Sequence, residues 1–140
     1  MPGRRLPLIS GCYYHIFSRG VNKIPIFQER RDYQRFLNLM NYCCYSDYPI
    51  RFSQFIFLSN QQKEKVRSNL KKKFVDFVCY CLMPNHFHFL LKQKTDDGIS
   101  KFINRLLNSY SKFFNLKSKR SGPLFEQRFK AVLVDEDEQL

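Results

Sequence analysis

FVDFVCYCLMPNHFHFLLKQ, residues 74–93, consists of two apolar runs separated by the turn sequence Met-Pro-Asn. The first run, from Phe74 to Leu82, is rich in aromatic and β-branched residues, which favours a β-strand. Pro84 has no N–H to donate to a strand ladder, so the strand ends before it. Residues 86–93 then return as a second strand. The stretch therefore predicts an antiparallel β-hairpin.

The segments before the hairpin predict a strand, a helix and a short inserted helix. Residues 12–18 are aromatic and partly β-branched, as in a strand, and Gly20 suits a following turn at positive φ. Residues 29–45 carry apolar side chains at spacings of three and four, which indicates a helix. Residues 50–58 are ambiguous between a strand and an irregular apolar segment. Residues 59–73 begin with a capping-box pattern, Ser-Asn-Gln-Gln, and predict a short basic helix.

After the hairpin, residues 99–116 predict a second long helix, and a last strand ends at Val134. The order strand, helix, strand, strand, helix, strand predicts an α+β fold of the ferredoxin-like type, which RNA-recognition motifs share. Two helices then cover one face of a four-stranded antiparallel sheet, and the short inserted helix is an addition. We expect one domain over residues 1–140, with a functional site on the other face of the sheet.

The charge of the chain is strongly positive. Its 140 residues include 24 Lys and Arg against 12 Asp and Glu, which gives a net charge of +12. From Lys101 to Lys130 there are eight basic residues and a single acidic one, Glu126. Such an excess can be a solvated, soluble surface, but basic side chains clustered beside aromatic ones favour a polyanionic partner.

The sequence predicts neither a membrane partner nor disulfides. No apolar run approaches the ~20 residues of a membrane span, and the basic N-terminus lacks the apolar core of a signal peptide. The five cysteines are an odd number without Cys-x-x-Cys spacing, which predicts reduced thiols. Cys79 and Cys81 alternate along one strand and are expected in the core. We therefore expect a cytoplasmic protein.

Two histidines occupy positions i and i+2 of the second hairpin strand. Residues at this spacing point to the same face of a sheet, roughly 6.5–7 Å apart along the chain. His86 and His88 can therefore meet one divalent ion, while Phe87 points into the core. A His-x-His pair is weak evidence by itself, because ordinary surface or half-buried histidines produce the same pattern.

Four blocks of the sequence carry a family resemblance. Residues 83–91, MPNHFHFLL, contain the histidine pair, and residues 14–20, YHIFSRG, form the predicted first strand and turn. Residues 108–115, NSYSKFFN, and residues 122–130, GPLFEQRFK, follow in the second half. In content, order and spacing these blocks resemble the single-tyrosine HUH transposases, which include insertion-sequence transposases and REP-associated tyrosine transposases.

The resemblance implies a DNA transposase that nicks and rejoins single strands at hairpin ends. His86 and His88 would be the catalytic residues that hold Mg²⁺ or Mn²⁺, and imidazole ligands suit Mn²⁺ better than the harder Mg²⁺. The metal would polarise the scissile phosphate, and a tyrosine would attack it to give a 5′-phosphotyrosyl link. The implied partner is single-stranded or hairpin DNA, bound by a monomer or a homodimer.

The nucleophilic tyrosine of that superfamily lies in a helix beyond the last strand, after an acidic stretch like residues 135–138. Tyr110 is the last tyrosine of this sequence. We therefore expect a chain truncated before the catalytic helix, without the nucleophile and without a third metal ligand. Tyr110 is the available substitute, but its block matches a structural segment of the superfamily, which favours a core position or a DNA contact.

Basic and polar side chains near the first strand, the hairpin turn and the last strand are candidate DNA contacts. Lys and Arg neutralise phosphates, and aromatic rings stack on unpaired bases. The candidates are Arg19, Asn22, Lys23, Asn85, Lys117, Lys119, Arg120, Arg128 and Lys130. Arg128 is the strongest of them, because it lies within a block that matches the family. His15 has no partner in the sequence and is predicted to be structural.

Two functions without catalysis remain open at this stage. The same strand order and aromatic sheet describe an RNA-recognition motif, although no Lys/Arg-Gly-Phe-Gly-Phe run is present and the histidine pair would be unexplained. A folded, repressor-like remnant of a transposase would also bind DNA without cutting it.

Overall fold

The computed structural model of the chain describes residues 7–134 and confirms the α+β fold. One antiparallel sheet has the strand order β2-β3-β1-β4, which is the ferredoxin-like order. The acidic stretch at residues 135–138 lies outside the described residues. The elements in chain order are β1 (Tyr13–Arg19), a 3₁₀ turn (Val21–Lys23), α1 (Arg30–Cys43), α2 (Phe52–Phe55), α3 (Asn60–Ser68), β2 (Val75–Met83), β3 (His86–Gln93), α4 (Gly98–Ser118) and β4 (Lys130–Val134).

The predicted hairpin is formed by β2 and β3, which pair along their whole length. Only Pro84 and Asn85 separate the two strands, as expected from a proline that cannot join the ladder. The carbonyl oxygen of Pro84 accepts the N–H groups of Ile26 and Phe27 at 2.8 and 3.1 Å. This fixes the turn against the segment that follows β1, so the first residues of β3 have a defined position.

Strand β3 alternates between the core and the opposite face of the sheet. Phe87, Phe89 and Leu91 are buried, whereas His86 and His88 are half-buried on the other side. Strand β1, which pairs with β3, follows the same alternation. The face that carries His86 and His88 is called the open face below. The core lies on the other side, so site residues and core residues come from the same strands.

Helices α1 and α4 cover the core side and contact each other. Phe36 of α1 and Phe102, Leu106 and Tyr110 of α4 are fully buried there. The rings of Phe36 and Tyr110 meet edge to face with centroids 5.0 Å apart, a favoured aromatic geometry. Among residues 7–134, no helix is long and apolar enough to cross a membrane.

The glycine after β1 serves a different purpose from the one predicted. Gly20 has φ −64°, and the positive φ values fall on Asn22 and Lys23 instead. A Cβ at Gly20 would lie 2.4 Å from the carbonyl oxygen of Ile24, which no side chain tolerates. Gly20 is therefore required by the close approach of the chain to itself rather than by its own backbone conformation.

The prediction that Cys79 and Cys81 lie in the core is wrong. Both are exposed, because β2 is an edge strand and these two residues belong to the open face. Cys81 pairs directly with His88 across the β2–β3 ladder. The cysteines that are buried are Cys43 and Cys44 at the end of α1, and none of the five forms a disulfide.

The insertion between α1 and β2 contains two short helices. The ambiguous residues 50–58 hold a single helical turn, α2. The capping box is confirmed: the N–H of Gln62 donates to the hydroxyl of Ser59 at 3.2 Å, and the Ser59 N–H donates to the Gln62 side chain at 2.9 Å. Helix α3 ends at Ser68, about one turn earlier than predicted.

Candidate nucleic-acid interface

The histidine pair lies on the open face at the start of β3, as its spacing predicts. The ring centroids of His86 and His88 are 5.0 Å apart, and the ring planes are nearly perpendicular. On β1 their directly paired residues are Arg19 and Phe17. Because β3 is hydrogen-bonded on both sides, the sheet fixes the two backbone positions from which the imidazoles project.

Asn85 fixes the ring of His86. The Nδ1–H of His86 donates to Oδ1 of Asn85 at 2.7 Å, and Nδ2 of Asn85 donates to the carbonyl oxygen of Lys23 at 3.5 Å. An amide oxygen only accepts, so the proton of a neutral His86 lies on Nδ1 and Nε2 keeps its lone pair. Asn85, a predicted DNA contact, therefore also decides which nitrogen of His86 is available to a ligand.

A third imidazole joins the pair. Nε2 of His15 lies 2.9 Å from Nδ1 of His88, and the ring centroids are 5.1 Å apart, so the two rings meet edge to edge through these nitrogens. Phe17 packs beside both rings, at 5.0 and 5.5 Å. The two histidines are 73 positions apart and meet through the pairing of β1 with β3. The sequence signal was only that His15 and Phe17 share one face of β1.

The protonation of His88 differs from that of an ordinary histidine. Burial is the main cause that lowers the pKa of His88 below 6.5, and the charges of His15 and His86 lower it further. A lowered pKa keeps the imidazole neutral near pH 7. A neutral imidazole is the form that binds metal ions.

A cleft of 520 Å³ opens beside His86. Its wall combines basic, polar and aromatic side chains from β1, the hairpin turn and the segment before β4. The lining residues are Phe17, Ser18, Arg19, Lys23, Asn85, His86, Glu126, Arg128 and Lys130. Glu126 is the acidic member, and it forms an ion pair with Arg19. The cleft is therefore a basic surface that adjoins one member of the histidine pair.

The structure brings five of the nine predicted DNA contacts into this cleft and places the other four elsewhere. Those in the cleft are Arg19, Lys23, Asn85, Arg128 and Lys130, and those outside are Asn22, Lys117, Lys119 and Arg120. Asn22 is exposed on the 3₁₀ turn, and Lys119 is the C-cap of α4. Arg120 donates to the side chain of Asn115 at 2.6 Å, which braces the loop after α4.

Lys117 is engaged in an ion pair within the fold. Its amino group lies 2.7 Å from the carboxylate of Asp32, and its side chain is only 11% exposed. Asp32 is fully buried, and the same carboxylate oxygen accepts the N–H groups of Gln28 and Glu29 at 2.9 and 3.3 Å. Lys117 therefore ties α4 to the start of α1.

Tyr110 lies in the core, on the side of the sheet opposite to the histidines. Its ring is fully buried, and its hydroxyl donates to the carbonyl oxygen of Ile26. Burial is the main cause that raises the pKa of Tyr110, and the charge of Asp32 adds to it. A protonated, hydrogen-bonded hydroxyl in this position supports the core assignment of Tyr110 over a role as nucleophile.

The donor set for a metal ion is small. Within residues 7–134, no group of three or more His, Cys, Asp or Glu side chains is arranged to hold one. The histidine pair remains: Nδ1 of His86 is engaged by Asn85, Nε2 has no hydrogen-bond partner among the described residues, and the neutral form of His88 is favoured. Two imidazole nitrogens on a solvent-facing surface fit a divalent ion whose other positions are open to water and phosphate.

Residues 8–140 match the family described as Transposase IS200 like. The chain belongs to the IS200-like transposase family. This confirms the resemblance carried by the four sequence blocks, and DNA transposition is the process of this family. The comparison with curated proteins found no match.

Two solved structures share the fold of this IS200-like transposase. One is a REP-associated tyrosine transposase bound to a REP hairpin, with a TM-score of 0.55 and 14% identity. The alignment covers 97% of this chain and 64% of that one, so the present chain spans less than two thirds of that protein. The other is a candidate transposase from Deinococcus radiodurans, with a TM-score of 0.55, 13% identity, and coverage of 97% and 87%.

Proposed function

We propose that the open face of this transposase binds single-stranded or hairpin DNA and that a divalent ion on His86 and His88 serves DNA nicking and strand transfer. The observation that carries the proposal is the meeting of the histidine pair and the basic cleft at one end of the sheet. The structural relative that is bound to a REP hairpin supports a hairpin as the DNA class.

The residues of the cleft have separate roles in this proposal. Lys23, Arg128 and Lys130 neutralise backbone phosphates and so bring one of them next to His86. His86 and His88 offer imidazole nitrogens on the same face. A bound Mg²⁺ or Mn²⁺ would supply polarisation of the scissile phosphate and stabilisation of the charge that develops on it.

Strand transfer also needs an attacking hydroxyl group. In a transposase of this class a tyrosine oxygen forms a bond to phosphorus, the 3′ oxygen leaves as a free 3′-OH, and the bond energy is kept for rejoining. None of the tyrosines within residues 7–134 lines the cleft. The proposed chemistry therefore needs a tyrosine hydroxyl that the residues of the cleft wall do not supply.

A second candidate function is DNA binding without cleavage, as in a repressor-like remnant, since the cleft wall within residues 7–134 offers DNA contacts but no tyrosine. Both candidates require the cleft, but only the first requires the metal. An experiment must therefore separate metal-assisted binding, strand cleavage and simple binding.

The test measures binding of a labelled DNA hairpin with a single-stranded flank, with and without Mn²⁺. We expect Mn²⁺ to tighten binding by the parent chain and not by the His86→Ala/His88→Ala variant, because the ion would bridge histidine and phosphate. Leu90→Ala, on the same strand and face, is the matched control and should respond like the parent. Equal responses by parent and double variant would overturn the metal assignment.

The same samples, run on a denaturing gel, report on catalysis. A covalent protein–DNA adduct that depends on Mn²⁺ and on the histidine pair would establish strand transfer. Hairpin binding without an adduct would favour the second candidate. Tyr110→Phe should leave either result unchanged, because the Tyr110 hydroxyl is buried in the core.

A further inference from the structure

His15 lies on the open face, and its imidazole has no role in the proposed function. Its Nε2 atom is within hydrogen-bond distance of Nδ1 of His88, at 2.9 Å, and the planes of the two rings are only 25° apart, so the nitrogens face each other edge to edge. Two nitrogens at this distance share one proton, so one ring donates and the other accepts. The direction of this bond decides which nitrogen of His88 keeps a lone pair.

At His86, the other histidine of the pair, a neighbouring acceptor decides which ring nitrogen carries the proton. The amide oxygen of Asn85 holds His86 with its proton on Nδ1, which leaves Nε2 for a ligand. Metal-binding histidines generally donate their second ring N–H to a nearby acceptor, which fixes both the tautomer and the ring orientation. At His88 the only ring partner within hydrogen-bond distance among residues 7–134 is His15.

We propose that His15 is a positioning residue that accepts the Nδ1–H of His88 and thereby leaves Nε2 of both His86 and His88 as the metal-binding nitrogens. This rests on the proposed function, because it assigns the orientation of the same pair. His15 does for His88 what Asn85 does for His86, from the neighbouring strand. The ion concerned is a divalent cation such as Mn²⁺, and His15 itself does not touch it.

The opposite direction of the bond makes a different prediction. If His15 donated its Nε2–H to His88, Nδ1 of a neutral His88 would be the acceptor and its proton would lie on Nε2. Nε2 of His88 would then be closed to a metal, and removal of His15 would improve the site instead of weakening it. The two cases are distinguishable without any metal or DNA.

The experiment is long-range ¹H–¹⁵N correlation NMR on the ¹⁵N-labelled 140-residue chain at a pH where the imidazoles are neutral. We expect His88 in the Nδ1–H tautomer in the parent chain and a shift towards Nε2–H in His15→Phe, which keeps an aromatic ring but has no acceptor. His15→Gln, which restores an acceptor oxygen, should restore the Nδ1–H tautomer. Val132→Ala, opposite His15 on β4, is the control for loss of packing alone.

A second readout is the affinity for Mn²⁺ alone, followed by titration. His15→Phe should bind Mn²⁺ at least about tenfold more weakly, as is usual when a partner of a metal-binding histidine is lost, and His15→Gln should recover most of the difference. An Nε2–H tautomer of His88 in the parent, or unchanged tautomer and affinity in His15→Phe, would overturn the proposal. If His86→Ala/His88→Ala binds Mn²⁺ as the parent does, the proposed function fails. If His86→Ala/His88→Ala loses Mn²⁺ binding and His15→Phe keeps it, the proposed function stands and only the role of His15 fails.

Discussion

Glu126 is the residue that most limits the positive charge of the cleft. It is the acidic member of the lining and pairs with Arg19, both by side chain and through its own N–H, which donates to the Arg19 carbonyl oxygen at 2.9 Å. Both side chains are partly exposed, so the ion pair itself adds little to stability. Its effect is on the ligand, because a carboxylate beside the cleft repels phosphate and occupies Arg19.

Glu126→Gln should therefore strengthen DNA binding. The amide keeps the shape of the side chain but releases Arg19 for one further phosphate contact, which should steepen the salt dependence by about 0.7 in log K per log [salt] for single strands. Fluorescence anisotropy with a flanked hairpin, across a salt series, measures both quantities. Glu64→Gln on α3 removes the same charge far from the cleft and is the matched control. Equal gains in the two variants would mean that only net charge matters.

At the scale of elements, the contact between α1 and α4 combines buried aromatic side chains with one buried ion pair. Asp32 lies in the first turn of α1 and is fully buried, and Lys117 in the last turn of α4 is its cationic partner. A buried charge that loses its partner is strongly destabilising, because desolvation of the remaining ion is no longer compensated. The pair therefore matters for folding, although Lys117 was predicted as a DNA contact from the basic residues around it in the sequence.

Lys117→Met should lower the free energy of unfolding by about 3 kcal/mol, since it leaves the Asp32 carboxylate without its cation. Chemical denaturation measures this loss. Below the unfolding transition, DNA affinity should change little, because Lys117 is not in the cleft. Lys101→Met, an exposed lysine of the same helix, should leave stability nearly unchanged. Normal stability together with weakened DNA binding in Lys117→Met would contradict this prediction and show that Lys117 is a DNA contact.

The sequence predicted elements better than it predicted contacts between them. The β2–β3 hairpin, both long helices and the capping box follow from local signals, namely strand composition, turn residues and helical spacing. The contacts of His15 with His88 and of Lys117 with Asp32 join residues 73 and 85 positions apart. Such pairs depend on strand register and helix packing, which no local pattern encodes. Cys81 was misplaced for the same reason, because edge position is a property of the sheet.

At the scale of the whole molecule, the basic residues behind the net charge of +12 are divided between ion pairs within the fold and the wall of the cleft. Part of their charge is neutralised within the fold, as at Lys117, and part lies in the cleft as Arg19, Lys23, Arg128 and Lys130. The cleft side chains can reach phosphates of a flexible strand more readily than those of a stiff duplex, and Phe17 adds an aromatic surface for stacking.

Binding should therefore be tighter for a hairpin with a single-stranded flank than for plain duplex of the same length. Three phosphate contacts, from Lys23, Arg128 and Lys130, predict a slope of log K against log [salt] of about −2 on single strands. Arg128→Ala should weaken binding to all sequences and reduce the slope by about 0.7. Affinity measurements between roughly 50 and 200 mM salt decide this. A flat salt response would contradict an electrostatic interface, and Lys101→Met is the control for charge outside the cleft.

Strand alternation also bears on how such a transposase changes over generations. Neighbouring residues of β1 and β3 face opposite sides of the sheet, so mutations at every second position alter the open face, the proposed DNA surface, and leave the aromatic interior unchanged. Under the proposed function, the residues that would determine the hairpin target and the residues that form the core are therefore separate sets. Substitutions on the open face of this sheet can change the DNA target while the core, and with it the fold, stays the same.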